Sequence, residues 1–165
     1  MTMSLPRRSL LLGTTATALV LMGCAPRRPP GPRSPEHWSG RLSLSVRSEP
    51  AQSFSAGFEL SGRAEAGELM LITPLGTTLA QARWSAGQAW LASGAQERRF
   101  NSIDELLREL TGTTLPLAAL FDWLRGIPTE APGWQADLAL SAQGRLVARR
   151  ASPGPLVELR LLLDL

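Results

Sequence analysis

Few side chains in this sequence are of the types that carry covalent or metal chemistry. His37 is the only histidine and Cys24 the only cysteine, which argues against a Ser-His-Asp or Cys-His nucleophile and leaves no ligand set for a metal site. Asp104 and Glu105 are adjacent, but acidic residues at the start of a helix favour its dipole. No glycine motif for phosphate binding occurs. We therefore expect no cofactor, no metal and no enzymatic activity, with a hydrolase that uses only two carboxylates as a minor alternative.

Cys24 stands at the end of a segment with the features of an export signal. Arg7 and Arg8 precede residues 10–23, which are uncharged and largely apolar but too short to span a bilayer, since that takes about 20 apolar residues. The final LMGC resembles a lipobox, the site at which bacterial lipoproteins are lipidated and cleaved. We expect residues 1–23 to be a signal peptide and Cys24 to carry lipid, in preference to a free thiol. Both the general and the twin-arginine export routes stay open.

The composition predicts an extended tether followed by one domain. Residues 25–36 hold five prolines, each of which fixes φ and removes a backbone donor, so residues 24–37 should be a Pro-rich tether. Residues 38–165 should form the domain, because 44% apolar and 19% charged residues fit a globular protein. The formal net charge is only +3, and no basic stripe is interleaved with aromatic residues. No nucleic-acid partner is expected.

Most of the domain shows the period of two that is typical of half-buried antiparallel strands. Leu42, Leu44 and Val46, for example, fall on one face of the first predicted strand. Glycine-containing breaks suit hairpin turns, and one of them is the tripeptide Pro74-Leu75-Gly76. The predicted strands cover residues 40–47, 53–62, 68–73, 77–84, 88–92, 134–141, 144–150 and 156–165.

Two short helices are predicted between the fifth and sixth of these strands. The first begins with a capping box formed by Ser102 and Glu105 and stops at Gly112. The second begins near Pro116, a residue suited to the first helical turn, and ends before Gly126. Strands, two helices and further strands predict an α+β domain with one antiparallel sheet and the helices on a single face.

Two stretches in this order, behind the lipobox, resemble the LolB family of outer-membrane lipoprotein-insertion proteins. They are LMLITPLGTTLAQARW and SIDELLRELTGTTLPLAALFDWLRGIP. The resemblance covers most of residues 38–134 and implies an incompletely closed β-barrel, or half-barrel, whose concave face is covered by short helices. The residues that match the family's helical pattern are Leu110, Gly112, Leu115, Pro116, Leu117, Leu120, Trp123, Leu124, Gly126 and Pro128.

The resemblance also implies a function. An apolar cavity would accept the acyl chains of lipoprotein cargo from a periplasmic carrier protein and release the cargo into outer-membrane lipid. The family carries an exposed apolar residue on a protruding membrane insertion loop, and Leu75, between Pro74 and Gly76, matches it; a large apolar residue is otherwise poorly placed at a hairpin tip. The residues assigned to the acyl-chain cavity are Phe54, Phe58, Leu69, Leu71, Leu79, Leu91, Leu117, Leu120, Trp123 and Leu124.

Three further expectations concern the cover, the anchor and the partners. Gly112, Pro116, Gly126 and Pro128 divide the helical cover into pieces that can shift to admit a chain. Ala25 follows Cys24. In many Gram-negative bacteria an Asp at this place keeps a lipoprotein in the inner membrane, so its absence favours the outer membrane. We expect a monomer on the periplasmic face of that membrane. The alternative is a structural or assembly lipoprotein that binds protein partners through an exposed strand edge.

The chain departs from the family pattern at its end. About three strands fit after Trp134, where a family member usually has one more. The edge of the barrel and the size of the cavity on that side are therefore left open by the sequence.

Overall fold

The computed structural model describes residues 36–165. The predicted signal peptide, Cys24 and all but the last two residues of the predicted tether lie outside the described residues. Those two, Glu36 and His37, belong to the first strand, so the folded domain begins before Trp38. In chain order the elements are β1 (Glu36–Val46), β2 (Gln52–Arg63), β3 (Ala66–Ile72), β4 (Thr78–Ser85), β5 (Gln88–Ser93), β6 (Gln96–Phe100), α1 (Ile103–Thr111), α2 (Leu117–Leu124), β7 (Trp134–Asp137), a 3-10 helix (Ser141–Gln143), β8 (Arg145–Arg150) and β9 (Val157–Leu163).

The strands within residues 36–165 form one antiparallel sheet in the order β6-β5-β4-β3-β2-β1-β9-β8-β7. The chain returns after the two helices so that the last strand, β9, pairs with the first, β1. The end strands β6 and β7 are not paired with each other, and the sheet therefore stays open. This confirms the predicted α+β fold, an incompletely closed antiparallel barrel with short helices.

The structure differs from the prediction at two strands. Strand β6 was not predicted because its first four residues, QERR, show no alternation and only Phe100 is buried. The strand predicted over residues 134–141 ends at Asp137, whose carboxylate accepts a hydrogen bond from the Ala139 N–H at 3.1 Å and turns the chain. The count of three strands from Trp134 onward agrees with the prediction.

The inward face of the sheet is apolar because alternate residues of its strands are apolar. In β2 the inward residues Ala56, Phe58 and Leu60 are buried while their neighbours are more exposed. Gly67 on β3 makes room for Trp84 on β4, since a Cβ at residue 67 would lie 2.6 Å from the indole ring. The Trp84 Nε1–H donates to the carbonyl of Ala64 at 3.0 Å, so this side chain fastens β4 to the β2–β3 turn.

The helices lie against this inward face. Ser102 caps α1 as predicted, its hydroxyl accepting from the Glu105 N–H at 3.1 Å, although the Glu105 carboxylate accepts from the N–H of Asn101, one residue before the cap. In α2 the Phe121 ring lies edge-on to Trp38 at 5.5 Å and to Trp84 at 6.4 Å. These aromatic contacts tie α2 to strands β1 and β4.

A charged cluster lies on the outward face. The Glu158 carboxylate accepts hydrogen bonds from the Nε–H groups of Arg149 and Arg160, each at 2.6 Å. These contacts, that of Arg149 first, hold the pKa of Glu158 below its ordinary value. A carboxyl group with a depressed pKa stabilises the fold above its unfolded-state pKa, and this stabilisation is lost as the pH falls through the folded-state pKa.

Glu158→Gln should therefore destabilise the protein at neutral pH, but only by up to about 1 kcal/mol, because exposed ion pairs are weak and both arginine side chains are more than half exposed. The difference from the wild type should vanish at a pH below the folded-state pKa, where the wild-type carboxyl is protonated too. Urea denaturation at a series of pH values measures this. A difference that is constant over all pH values would show that the carboxylate charge is not the cause.

Candidate functional site: an apolar cavity beneath two helices

A cavity of about 340 Å³ lies between the inward face of the sheet and the two helices. Its volume is within the range of about 300–1,000 Å³ that is typical of small-molecule sites. Every lining residue but one is apolar. The lining residues are Leu42, Leu44, Phe54, Phe58, Leu60, Leu69, Leu71, Leu79, Ala80, Ala82, Trp84, Leu91, Ile103, Leu106, Leu107, Leu110, Thr111, Leu115, Leu117, Leu120, Leu159 and Leu161.

The one polar lining residue, Thr111, offers nothing to a ligand. Its hydroxyl lies 2.7 Å from the carbonyl oxygen of Leu107 and 2.9 Å from that of Thr113, so its donor is used within the helix end. An apolar cavity without free polar partners holds water poorly and suits a hydrocarbon. The chemistry of the lining therefore fits an aliphatic chain and gives no hold to a polar or charged small molecule.

Eight of the ten residues assigned to the cavity from the sequence line it, namely Phe54, Phe58, Leu69, Leu71, Leu79, Leu91, Leu117 and Leu120. The other two, Trp123 and Leu124, do not. Trp123 is 2% exposed, and its ring packs 6.4 Å from that of Trp134 on β7, on a different side of the helix. Leu124 shares a helical face with Leu117 but lies two turns further along, where the interior is filled.

The sequence analysis missed the lining residues of β1, β9 and α1. Their signal was present, because Leu42, Leu159 and Leu161 alternate with polar residues and α1 has an apolar face. Such a pattern identifies residues that face the interior but does not tell whether neighbouring side chains fill the space before them. These residues were therefore read as ordinary core.

The mouth of the cavity is marked by lining residues that are also exposed. Phe54, Leu79 and Leu110 are 41%, 39% and 47% exposed. Leu79 owes its position to a β-bulge: Leu71 pairs with Ala80 and the next residue with Thr78, which leaves Leu79 as the extra residue of β4. The mouth thus lies at the end of β4 that adjoins the β3–β4 turn.

The β3–β4 turn holds Leu75 firmly while leaving its side chain in solvent. The N–H of Thr73 donates to the carbonyl of Thr77 at 2.8 Å and that of Gly76 to the carbonyl of Thr73 at 2.9 Å. Gly76 has φ of 82°, as a three-residue hairpin loop requires at its last position. Pro74 and Gly76 serve the turn geometry, whereas Leu75, 93% exposed, makes no contribution to packing.

Two ion pairs fasten the outer parts of the helical cover. Arg98 on β6 pairs with Glu109 on α1. Arg125, at the end of α2, donates from Nε to the carboxylate oxygens of Glu36 at 2.9 and 2.7 Å and pairs with Asp122. The Glu36 carboxylate raises the pKa of the Arg125 guanidinium above its ordinary value. Residues 112–116, which connect the two helices, lie between these attachments.

Thr113, in this connection, is 3% exposed, and its hydroxyl has no hydrogen-bond partner within the described part of the chain. A buried hydroxyl without a partner costs about 1–3 kcal/mol. Thr113→Val, which keeps the shape of the side chain, should therefore raise the free energy of unfolding by about 1 kcal/mol. Thermal or urea denaturation measures the change; a loss of stability would mean that the hydroxyl has a partner in solution.

Residues 36–165 contain no cluster of three or more His, Cys, Asp or Glu residues arranged to hold a metal ion. In the same range, none of the helices has the length and hydropathy needed to cross a membrane.

The fold and the site define a class of protein: an open antiparallel half-barrel whose inner face is covered by short helices above an unfilled apolar space. Residues 36–154 match the family described as outer membrane lipoprotein LolB, and the chain belongs to this family.

Several relatives carry the name outer-membrane lipoprotein LolB. The protein from Ralstonia nicotianae is 34% identical over 148 residues, which is 83% of this chain and 69% of the relative. The protein from Chromobacterium violaceum is 31% identical over 150 residues, 84% of this chain and 79% of the relative. The protein from Halorhodospira halophila is 34% identical over 151 residues, 82% of this chain and 72% of the relative.

Proposed function

We propose that this protein accepts lipoproteins from a periplasmic carrier by binding their acyl chains in the cavity, and then inserts them into the outer membrane without catalysing a reaction. The observation that carries the proposal is the unfilled cavity, whose lining is apolar except for one internally bonded threonine. Family membership supports it, because the relatives are named as outer-membrane lipoproteins. Cys24 would carry the lipid anchor, and residues 24–35, the part of the expected tether that precedes β1, would space the domain from the membrane.

The energetics suit a relay that needs no fuel. Removing an acyl chain of about sixteen carbons from water is worth on the order of 10 kcal/mol at about 0.8 kcal/mol per methylene. The sequence has no glycine motif for a nucleotide phosphate. Cargo then moves in one direction if the cavity binds acyl chains more strongly than the carrier does and more weakly than the bilayer does.

The attachments of α2 suggest which joint of the cover moves. Gly126 and Pro128 were expected to be joints, yet this end is tied down: the Trp123 Nε1–H donates to the Thr129 carbonyl at 2.8 Å, and the Thr129 hydroxyl donates to Asp122 at 2.7 Å. The hydrogen bonds that the structure gives residues 112–116 stay within the helical cover: the Thr113 backbone bonds the Thr111 hydroxyl, and the Pro116 carbonyl accepts from the Leu120 N–H at 2.9 Å. The cover would therefore open by a movement of α1 at this connection while the end of α2 stays in place.

Leu75 would enter the bilayer surface as the cargo leaves. Its turn is closed by backbone hydrogen bonds, its side chain is exposed, and Leu79 at the cavity mouth follows four residues later. An apolar side chain at the tip disturbs the head-group region just where an acyl chain must enter. This arrangement explains why a leucine stands at a tip where packing gives it no role.

Filling the cavity should abolish lipid binding without unfolding the protein. Leu120→Trp, on the cavity side of α2, should weaken the saturable binding of a fluorescent fatty acid by about tenfold or more, equivalent to ~1.4 kcal/mol, because the indole occupies the space of the chain. Ile127→Trp is the matched control, since Ile127 is exposed and outside the lining. Unchanged affinity in Leu120→Trp would contradict the assignment, and absence of saturable binding in the wild type would favour the assembly lipoprotein instead.

Leu75→Glu should separate uptake from delivery. The variant should take lipoprotein from the carrier normally but deliver it to liposomes about tenfold more slowly, a change of ~1.4 kcal/mol in the barrier, because a carboxylate resists entry into the head-group region. Ile127→Glu provides the control, since Ile127 is 47% exposed and lines neither the cavity nor the outward surface beside the turn. Equal delivery by Leu75→Glu and the wild type would remove the proposed role of the loop.

A further inference from the structure

The outward face of β1, β2, β8 and β9 forms a groove of about 1080 Å³ beside the Leu75 turn. Thr73 and Pro74 of that turn are part of its lining. The centre of the groove is low because the outward residues there are small: Ser43 on β1 lies opposite Ser55 on β2. The turn that carries Leu75 therefore has the cavity mouth on its inner side and this groove on its outer side.

Four arginines line the groove, and they differ in the ion pairs that they form within residues 36–165. Arg149 and Arg160 share the carboxylate of Glu158. Arg41 and Arg145 are exposed and form no ion pair within residues 36–165. These two cationic side chains are thus available to an anion from outside.

Two carboxylates also line the groove, and both are engaged by the chain. Asp137 accepts a hydrogen bond from the N–H of Ala139 at 3.1 Å, and Asp164 accepts one from the hydroxyl of Ser39 at 3.0 Å. Asp137 is the last residue of the edge strand β7, and Asp164 follows the end of β9. Both keep their negative charge, but the groove is lined by four arginines against these two aspartates, with Glu158 shared by Arg149 and Arg160, so a small excess of positive charge is left.

Exposed apolar residues lie among these charges. Leu162 on β9 pairs with Arg41 on one side and Arg145 on the other, so one row across three strands reads Arg, Leu, Arg. Leu162 and Leu140 both line the groove and are 46% and 41% exposed. Unpaired cations interleaved with exposed leucines, next to an apolar tip, form the kind of surface that binds an anionic bilayer.

We infer that this outward groove binds the phosphate groups of anionic phospholipids and sets the domain on the membrane with Leu75 and the cavity mouth directed at the bilayer. The inference rests on the proposed function, since it orients the same delivery step. The planar guanidinium group of an arginine pairs well with a phosphate. Leu162, between the two arginines, contacts the boundary between the head groups and the acyl chains. Because the groove is continuous with the Leu75 turn, we assign it to the membrane and not to an acidic protein.

The test uses the expected mature chain, from residue 24 onward, with Cys24→Ala in every form, so that neither a lipid anchor nor the apolar segment of residues 10–23 contributes. Binding is measured by co-sedimentation with vesicles of phosphatidylcholine alone and with vesicles that also contain phosphatidylglycerol. Arg41→Gln with Arg145→Gln should weaken binding to the phosphatidylglycerol vesicles by roughly 25-fold, at about fivefold for each basic residue near the surface. Binding to phosphatidylcholine alone should change little, and added salt should weaken wild-type binding to the anionic vesicles.

Two controls isolate the groove from net charge. Arg99→Gln with Arg108→Gln removes the same charge from exposed arginines on β6 and α1 that also lack an ion pair in the described part of the chain, and it should retain binding. Arg41→Lys with Arg145→Lys should retain most of it. An equal loss in the Arg99 and Arg108 variant, or no loss in the Arg41 and Arg145 variant, would overturn the inference.

The outcome is separable from the proposed function. Fatty-acid binding in solution should be the same in the wild type and in all arginine variants. If the wild type itself binds no fatty acid, that result counts against the proposed role of the cavity and not against the groove. If vesicle binding survives the loss of Arg41 and Arg145 while uptake from the carrier falls, the groove binds an acidic protein surface and the lipid assignment is wrong.

Discussion

The structure depends on one constraint: the apolar inner face of a sheet that does not close. Because β6 and β7 do not pair with each other, this face must be covered by other elements, and within residues 36–165 these are two α-helices of nine and eight residues. Protein interiors are normally packed to the density of organic crystals, but helices this short leave part of the face without a neighbour. The cavity, its mouth and the connection between the helices all follow from this mismatch.

The fold can keep a hollow because its other part is packed conventionally. Trp38, Trp84 and Phe121 form edge-on contacts, and Trp123 packs on Trp134, so the end of α2 is held by large buried surfaces. An unfilled cavity lowers stability in proportion to its volume, and these contacts offset that loss. Trp84 belongs to both parts, since it lines the cavity and also contacts Phe121, whereas Trp38, Phe121, Trp123 and Trp134 lie outside the lining.

The sequence predicted those parts of the fold that depend on local chemistry. Alternation identified β2, Ser102 marked the start of α1, and Pro74 with Gly76 located the turn that exposes Leu75. It failed at β6, whose four polar residues are strand only because β5 pairs with them. Leu124 was misplaced because helical spacing shows which residues share a face and not where, along that face, the space ends. The emptiness of the cavity itself is a property of the tertiary packing and has no local signature.

The central claim is that the space beneath the helices receives an acyl chain. A structure determined from crystals of the protein grown with a saturated fatty acid is the most direct test. We expect elongated density between α2 and β3, in contact with Leu71 and Leu120 and reaching the surface near Phe54 and Leu79. An interior in which Leu71 and Leu120 close against each other, with the fatty acid absent or bound only on the outside of the domain, would contradict it.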